Sequence, residues 1–143
     1  MTYWLTLFNS TTWQEFLDAG ATVSGFPETR WKIVQQIQPG DILLAYLSGK
    51  SRWIAAFEVT SEPYQTTTPI WKQATFPCRV NVKTLTTLPT DSGIPMLDLA
   101  PKLTLFEHLK HPNWGLIVRS APKKLPDPDG KLIQQAILEQ ASA

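Results

Sequence analysis

The chain alternates between short apolar runs and polar, turn-forming stretches. The first run, Tyr3 to Phe8, predicts a buried strand. Asn9-Ser10-Thr11-Thr12 follows, four side chains that favour helix starts, with capping-box spacing from Thr11 to Gln14 and from Thr12 to Glu15. The helix they open sets Trp13, Phe16 and Leu17 on one face and stops at Gly20. Gly25-Phe26-Pro27 predicts a sharp turn into a second helix over 28–37, with Ile33, Val34 and Ile37 as its inner stripe and Pro39-Gly40 as its end. The strongest strand patterns are 41–47 and 52–60, joined by a hairpin turn at Ser48-Gly49-Lys50-Ser51.

Residues 61–75 are rich in Thr and Pro and lack periodicity, so they predict a loop. Residues 78–83 alternate, which points Cys78, Val80 and Val82 inward and Arg79, Asn81 and Lys83 outward. The stretch 84–113 carries four of the prolines and reads as irregular, with a short helical turn over 96–100. A last strand is expected at 116–119. Asp127, with Pro128 at the first helical position, opens a terminal helix to 139 that turns Ile133, Ala136 and Ile137 inward. About three helices and five or six strands result, without βαβ alternation. That order predicts an α+β fold: one domain over 1–143, a small mixed or antiparallel β-barrel with helices packed outside.

Composition narrows the function. At 143 residues and 43% hydrophobic, the chain can bury a core without disulfides or metals. The formal net charge of +1 supplies no bulk attraction to nucleic acid or membrane, so a phosphate-bearing partner must be met by a local patch. Cys78 is the single cysteine, which excludes an intramolecular disulfide and a multi-cysteine zinc site and suits a reducing compartment. The N-terminus lacks the pattern of a signal peptide, and no apolar run reaches the ~20 residues of a membrane helix. The expectation is a cytoplasmic protein without a membrane partner.

Catalytic patterns are thin. Cys78 could meet His108 or His111 only across space, and those histidines with Glu107 or Asp98 make an incomplete metal site. Gly49-Lys50-Ser51 lacks the first glycine of a phosphate loop and precedes a strand rather than a helix. Asp18, Glu28, Asp41 and Asp127 all sit where capping or solvation explains them. Recognition is better supported. Arg79, Asn81 and Lys83 form a stripe, Lys50 and Arg52 flank the hairpin tip, and Arg119, Lys123 and Lys124 cluster near the C-terminal end. Six tryptophans accompany them. Aromatic side chains among such charges suit an unpaired base, for which stacking contributes ~1–3 kcal/mol.

Tyr3-Trp4-Leu5, Gly25-Phe26-Pro27, Pro39-Gly40-Asp41-Ile42-Leu43-Leu44-Ala45-Tyr46, Glu58-Val59-Thr60-Ser61-Glu62-Pro63-Tyr64, Phe76-Pro77-Cys78-Arg79-Val80 and Asp129-Gly130 together resemble, in order, the EVE domain. The resemblance implies a PUA-like barrel related to YTH domains, with a pocket for a modified nucleobase flipped from a duplex or presented on a single strand. YTH domains take N6-methyladenine in RNA; EVE domains are associated with modified cytosines in DNA and, in bacteria, with restriction-like defence. The resemblance places Phe26 and Trp71 as cage aromatics and Asn9 and Ser10 as base-edge contacts. Tyr46 and Ser48 border the same pocket, with Trp13 and Trp31 as rival walls. Lys50, Arg52, Arg79, Lys83 and Lys123 are the expected phosphate contacts. Trp4, Trp53 and Trp114 go to the core or barrel rim. The resemblance implies a non-catalytic, monomeric reader without cofactor or metal, with any nuclease or translocase a separate protein. An RNA reader, a nucleotide enzyme using Cys78 or Asp41, and a protein-interaction domain are the alternatives.

Overall fold

The computed structural model describes residues 1–107 and 114–143, the side chain of Trp114 excepted. The expectations for His108, His111 and the Trp114 ring therefore lie outside the described residues. The chain runs through β1 (Tyr3–Phe8), α1 (Ser10–Asp18), β2 (Val23–Phe26), α2 (Trp31–Val34), β3 (Ile42–Leu47), β4 (Arg52–Val59) and β5 (Tyr64–Gln65). It continues through β6 (Cys78–Thr87), β7 (Ile94–Pro95), α3 (Met96–Leu99), α4 (Trp114–Val118), β8 (Lys123–Leu125) and α5 (Asp127–Ala141). The strands form one curled sheet in the order β2-β6-β4-β3-β1-β8, with β5 beside β6 and β7 beside β4. β1 and β3 run parallel, Tyr3 opposite Ile42 through Phe8 opposite Leu47; the other pairs are antiparallel. Register shifts between Ala45 and Tyr46 on β3, and between Ala56 and Phe57 on β4, add the local twist that curls the sheet.

Both faces of the central strands are covered, which explains why β3 reads as an unbroken apolar run. On one face Tyr3, Leu5, Ile42, Leu44 and Tyr46 pack with Trp53, Met96 and the α5 residues Ile133 and Ile137. On the other, Trp4, Phe8, Leu43 and Ala45 pack with Trp13 and Phe16 of α1, Phe26 of β2 and Val80 of β6. Alternate residues of one strand thus feed two cores. Asp41 pins the start of β3: it is buried and accepts from Thr2 N (2.9 Å), Trp4 Nε1 (3.0 Å) and Gln38 N (2.9 Å).

The structure corrects several expectations. Gly25-Phe26 is not a turn but the end of β2, paired with Cys78 and Arg79 of β6. The second helix is broken into a 3-10 turn over Glu28–Arg30 and the short α2, neither with a side-chain cap, although Val34 and Ile37 are buried as its stripe requires. Residues 116–119 are not a strand: α4 covers most of them, and the last strand is β8. A short apolar run such as Leu116-Ile117-Val118 does not distinguish helix from strand by periodicity. Five α-helices are present among the described residues where about three are expected. α1 is capped by Asn9, whose side chain accepts from Thr12 N while Thr12 Oγ1 accepts from Asn9 N, ahead of the boxes expected to start at Thr11 and Thr12. Leu17 is 40% exposed, outside the face shared by Trp13 and Phe16. α5 begins at Asp127 with Pro126, not Asp127, as its cap. No helix among the described residues is long and apolar enough to cross a membrane.

Candidate functional site

The curled sheet does not close. Among the described residues β1 and β2 share no backbone ladder; a buried hydroxyl pair, Thr6 Oγ1 to Ser24 Oγ at 3.1 Å, bridges them beside the core they both enter. On its outer edge β1 pairs with β8 only from Tyr3 to Leu5. Beyond that point a cavity of about 190 Å³ opens, lined by residues of β1 (Leu7), the α1 cap (Asn9, Thr12) and β2 (Gly25, Phe26). Pro27, Ser48, Gln73, Phe76, Arg119 and Ala121 complete it. Ile42 N and Ser48 N donate to Thr2 O and Phe8 O, so even-numbered β1 residues turn their peptide groups toward β3. Leu7, an odd-numbered residue past the last β8 pair, turns its N–H and C=O toward this seam.

Each wall has a sequence reason. Asn9 is there because helix α1 needs a cap. Its Oδ1 accepts from Thr12 N (2.8 Å) and its Nδ2 donates to Gln73 Oε1 (3.1 Å). Phe26 is the last residue of β2. Phe76 comes from the segment between β5 and β6 and holds φ +46°, a left-handed conformation costly for a bulky side chain. Arg79 over-determines that conformation. It is 1% exposed, and its guanidinium donates to Phe76 O (3.0 Å), Thr68 O (2.6 Å) and Thr75 O (3.0 Å) while lying 5.4 Å from the Trp71 ring centre. Burial lowers its pKa, and the Tyr64 phenol opposes that shift. Arg79 therefore does not face outward as the β6 alternation predicts. It is a peg for the 68–76 segment rather than a free phosphate contact.

Trp71 stands directly behind this wall. Its Nε1 donates to Thr12 O (3.2 Å) and its ring meets Phe76 edge-on at 5.5 Å. Gly25 makes room for it: a Cβ there would stand 2.5 Å from Trp71 Cζ3. The pocket thus gathers Asn9, Phe26 and Ser48 from the expected set, with Trp71 as backing. It does not gather the others. Ser10 is exposed on α1. Trp13 packs on Phe8 and Phe16 in the core, Tyr46 packs edge-on with Trp53 on the other core face, and Trp31 is half-buried against the first of these clusters. Trp4 and Trp53 are core residues, as expected. Lys50 pairs with Asp91, and Arg52 Nη1 donates to Gly93 O at 2.6 Å. Lys83 is exposed and Lys123 half-buried. Gln73 and Phe76 are pocket residues that the pattern analysis did not assign to the site, and Arg119, read there only as part of a basic cluster, joins them. They lie in aperiodic stretches, and the Phe76-Pro77 step before a strand was the one available signal.

Chemically the pocket is an aromatic slot with amide, hydroxyl and guanidinium groups at its rim. Among the described residues that line it, none is an acid, a histidine or a cysteine. Cys78 lies outside it, and burial pushes its thiol up. No group of three or more metal-ligating side chains occurs among the described residues.

Comparison with known proteins agrees with this architecture. A UPF0310 protein of Pyrococcus abyssi is 30% identical over 96% of this chain and 100% of its own length. The structure of the Mmi1 YTH domain in complex with RNA superposes with a TM-score of 0.68 at 13% identity, covering 99% of this chain and 87% of that one. The Pho92 YTH domain in complex with m6A gives 0.67 at 13% identity, covering 95% and 82%. The fold is that of the YTH and PUA-like barrels. The EVE domain model matches residues 2–125, and the chain belongs to the EVE domain family.

Proposed function

We propose that the chain binds an unstacked, modified nucleobase in the seam pocket, with modified cytosine in DNA as the favoured ligand. The observation that carries this reading is the small slot at the β1–β2 seam, walled by Phe26 and Phe76 and rimmed by Asn9, Ser48, Gln73 and Arg119. Its volume of about 190 Å³ is below the ~300 Å³ lower end of drug-sized sites and suits one flat ring with a small substituent. Extruding a base costs a few kcal/mol, and an aromatic contact returns ~1–3 kcal/mol. Net affinity then rests on hydrogen bonds to the base edge. The Leu7 peptide, the second Asn9 amide proton and the Ser48 hydroxyl supply both donors and acceptors. Burying one methyl adds ~0.8 kcal/mol, so discrimination by the methyl alone is about four-fold.

The test is a fluorescence titration with oligonucleotides carrying unmodified, methylated or hydroxymethylated cytosine or N6-methyladenine, as DNA and as RNA. RNA belongs in the panel because the Mmi1 relative was solved with it. A few-fold preference for modified cytosine in DNA, lost in Phe76→Ala, is expected. No binding to any member would leave a protein-interaction domain as the better reading.

A further inference from the structure

The seam pocket accounts for only one side of Phe76 and Pro27. The same two residues also border a second, open groove of about 790 Å³, completed by Glu28, Gln65, Thr66, Thr67, Ala74, Thr75 and Pro77. The shared wall sets this groove beside the seam pocket, where the neighbour of a base held there can reach it.

The lining decides which part of that nucleotide the groove can hold. None of its described residues is a lysine or arginine, and its one charged group, Glu28, is an exposed carboxylate. A phosphate would be repelled. A group presenting N–H donors would be attracted, since an ionised carboxylate only accepts. The remainder suits a base. Pro27, Phe76 and Pro77 offer apolar surface for a ring, and Gln65, Thr66, Thr67 and Thr75 offer short neutral hydrogen-bonding groups. Unpaired bases are read on such edges, and hydrogen bonds to a charged acceptor are the strong ones. Guanine fits best, because its adjacent N1–H and N2–H₂ donors match the two oxygens of one carboxylate. Thymine and uracil offer a single N–H flanked by carbonyls.

We propose that this groove is a second subsite that takes the base next to the one in the seam pocket, reading its Watson–Crick edge through Glu28 and preferring guanine. The proposal rests on the seam pocket being a base site, and the experiment separates the two. Binding of the free modified nucleoside tests the pocket alone. Dinucleotides carrying the same modified base, with guanine, adenine, cytosine or thymine on the 5′ or the 3′ side, test the groove. Guanine on one side should bind about ten-fold tighter than thymine there. Glu28→Gln should flatten that preference and leave free-nucleoside affinity unchanged, because Glu28 does not line the seam pocket. Nucleoside binding with no dependence on the neighbour, or with a dependence that survives Glu28→Gln, would overturn the subsite. Failure of the nucleoside to bind would overturn the pocket itself and the subsite with it.

Discussion

Gly25 and Trp71 are in contact at a distance that leaves no space for a side chain: a Cβ on Gly25 would stand 2.5 Å from Trp71 Cζ3, 2.8 Å from Cη2 and 3.0 Å from Phe76 Cβ. The Gly25 backbone conformation is an ordinary one, so its requirement for glycine is one of space. Gly25→Ala should push the indole and Phe76 together into the seam. We expect a stability loss of about 1–3 kcal/mol, typical of overpacking, and a larger proportional loss of base binding. Urea unfolding and nucleoside titration of the same preparation separate the two effects. Unchanged binding would mean that Trp71 does not back the pocket.

Arg79 acts on the pocket through Phe76. Arg79→Lys keeps the charge but cannot deliver three hydrogen bonds from a planar fork. Binding should fall about ten-fold as Phe76 leaves its left-handed conformation. In a Phe76→Ala background the same substitution should have little further effect on binding. That non-additivity, measured as a double-mutant cycle, distinguishes a positioning role from general damage. Additive losses would refute it.

Alkaline pH should destabilise the fold. Burial raises the pKa of Cys78 above its ordinary 9.0 and those of Tyr3 and Tyr64 above 10.0. Each group is neutral when protonated, and the folded state holds that proton more tightly than the unfolded chain. Their stabilisation is therefore complete below pH 9 and is lost as pH rises through the folded-state values. The urea midpoint should be level from pH 7 to 8.5 and fall above it. The same burial predicts that Cys78 reacts with a thiol reagent only on unfolding. Rapid labelling of the native protein at pH 7 would contradict it.

Asp129 provides a control away from the pocket. It is 1% exposed and accepts from Thr104 N, Thr104 Oγ1 and Leu105 N at 2.8–2.9 Å, which ties α5 to the irregular segment. Asp129→Ala removes the charged acceptor of two part-buried peptide N–H groups and one hydroxyl and should cost about 2–3 kcal/mol. Nucleoside affinity of the folded fraction should not change.

Much of this architecture is legible in the sequence where burial is one-dimensional. The strands from Tyr3, Ile42 and Arg52 carry enough apolar positions to declare themselves, and Asn9 declares a helix start. The pocket is less legible because its residues hold their places for reasons that pattern does not encode. Arg79 obeys the strand alternation in register but turns its guanidinium back onto loop carbonyls, which only the three-dimensional path of 68–76 reveals. Phe76 sits in a segment without periodicity, in a conformation its residue type disfavours. Trp71 is legible as an unusual residue in a polar loop, but its role as a backing rather than a facing surface depends on Gly25, a residue that reads as a turn. Leu116-Ile117-Val118 shows the opposite failure, where apolar content is obvious and the element type is not.

The hydroxyl pair between Thr6 and Ser24 has one more implication. A barrel sewn shut by peptide hydrogen bonds has a fixed circumference, because widening it by an ångström breaks a whole ladder. Here β1 and β2 share an apolar core but, among the described residues, no peptide ladder, and the Thr6 to Ser24 hydrogen bond is a neutral one that either oxygen can donate, worth ~0.5–1.5 kcal/mol and indifferent to pH through the physiological range. A change at these two positions can therefore alter how β1 and β2 meet without breaking a rung of any paired strand.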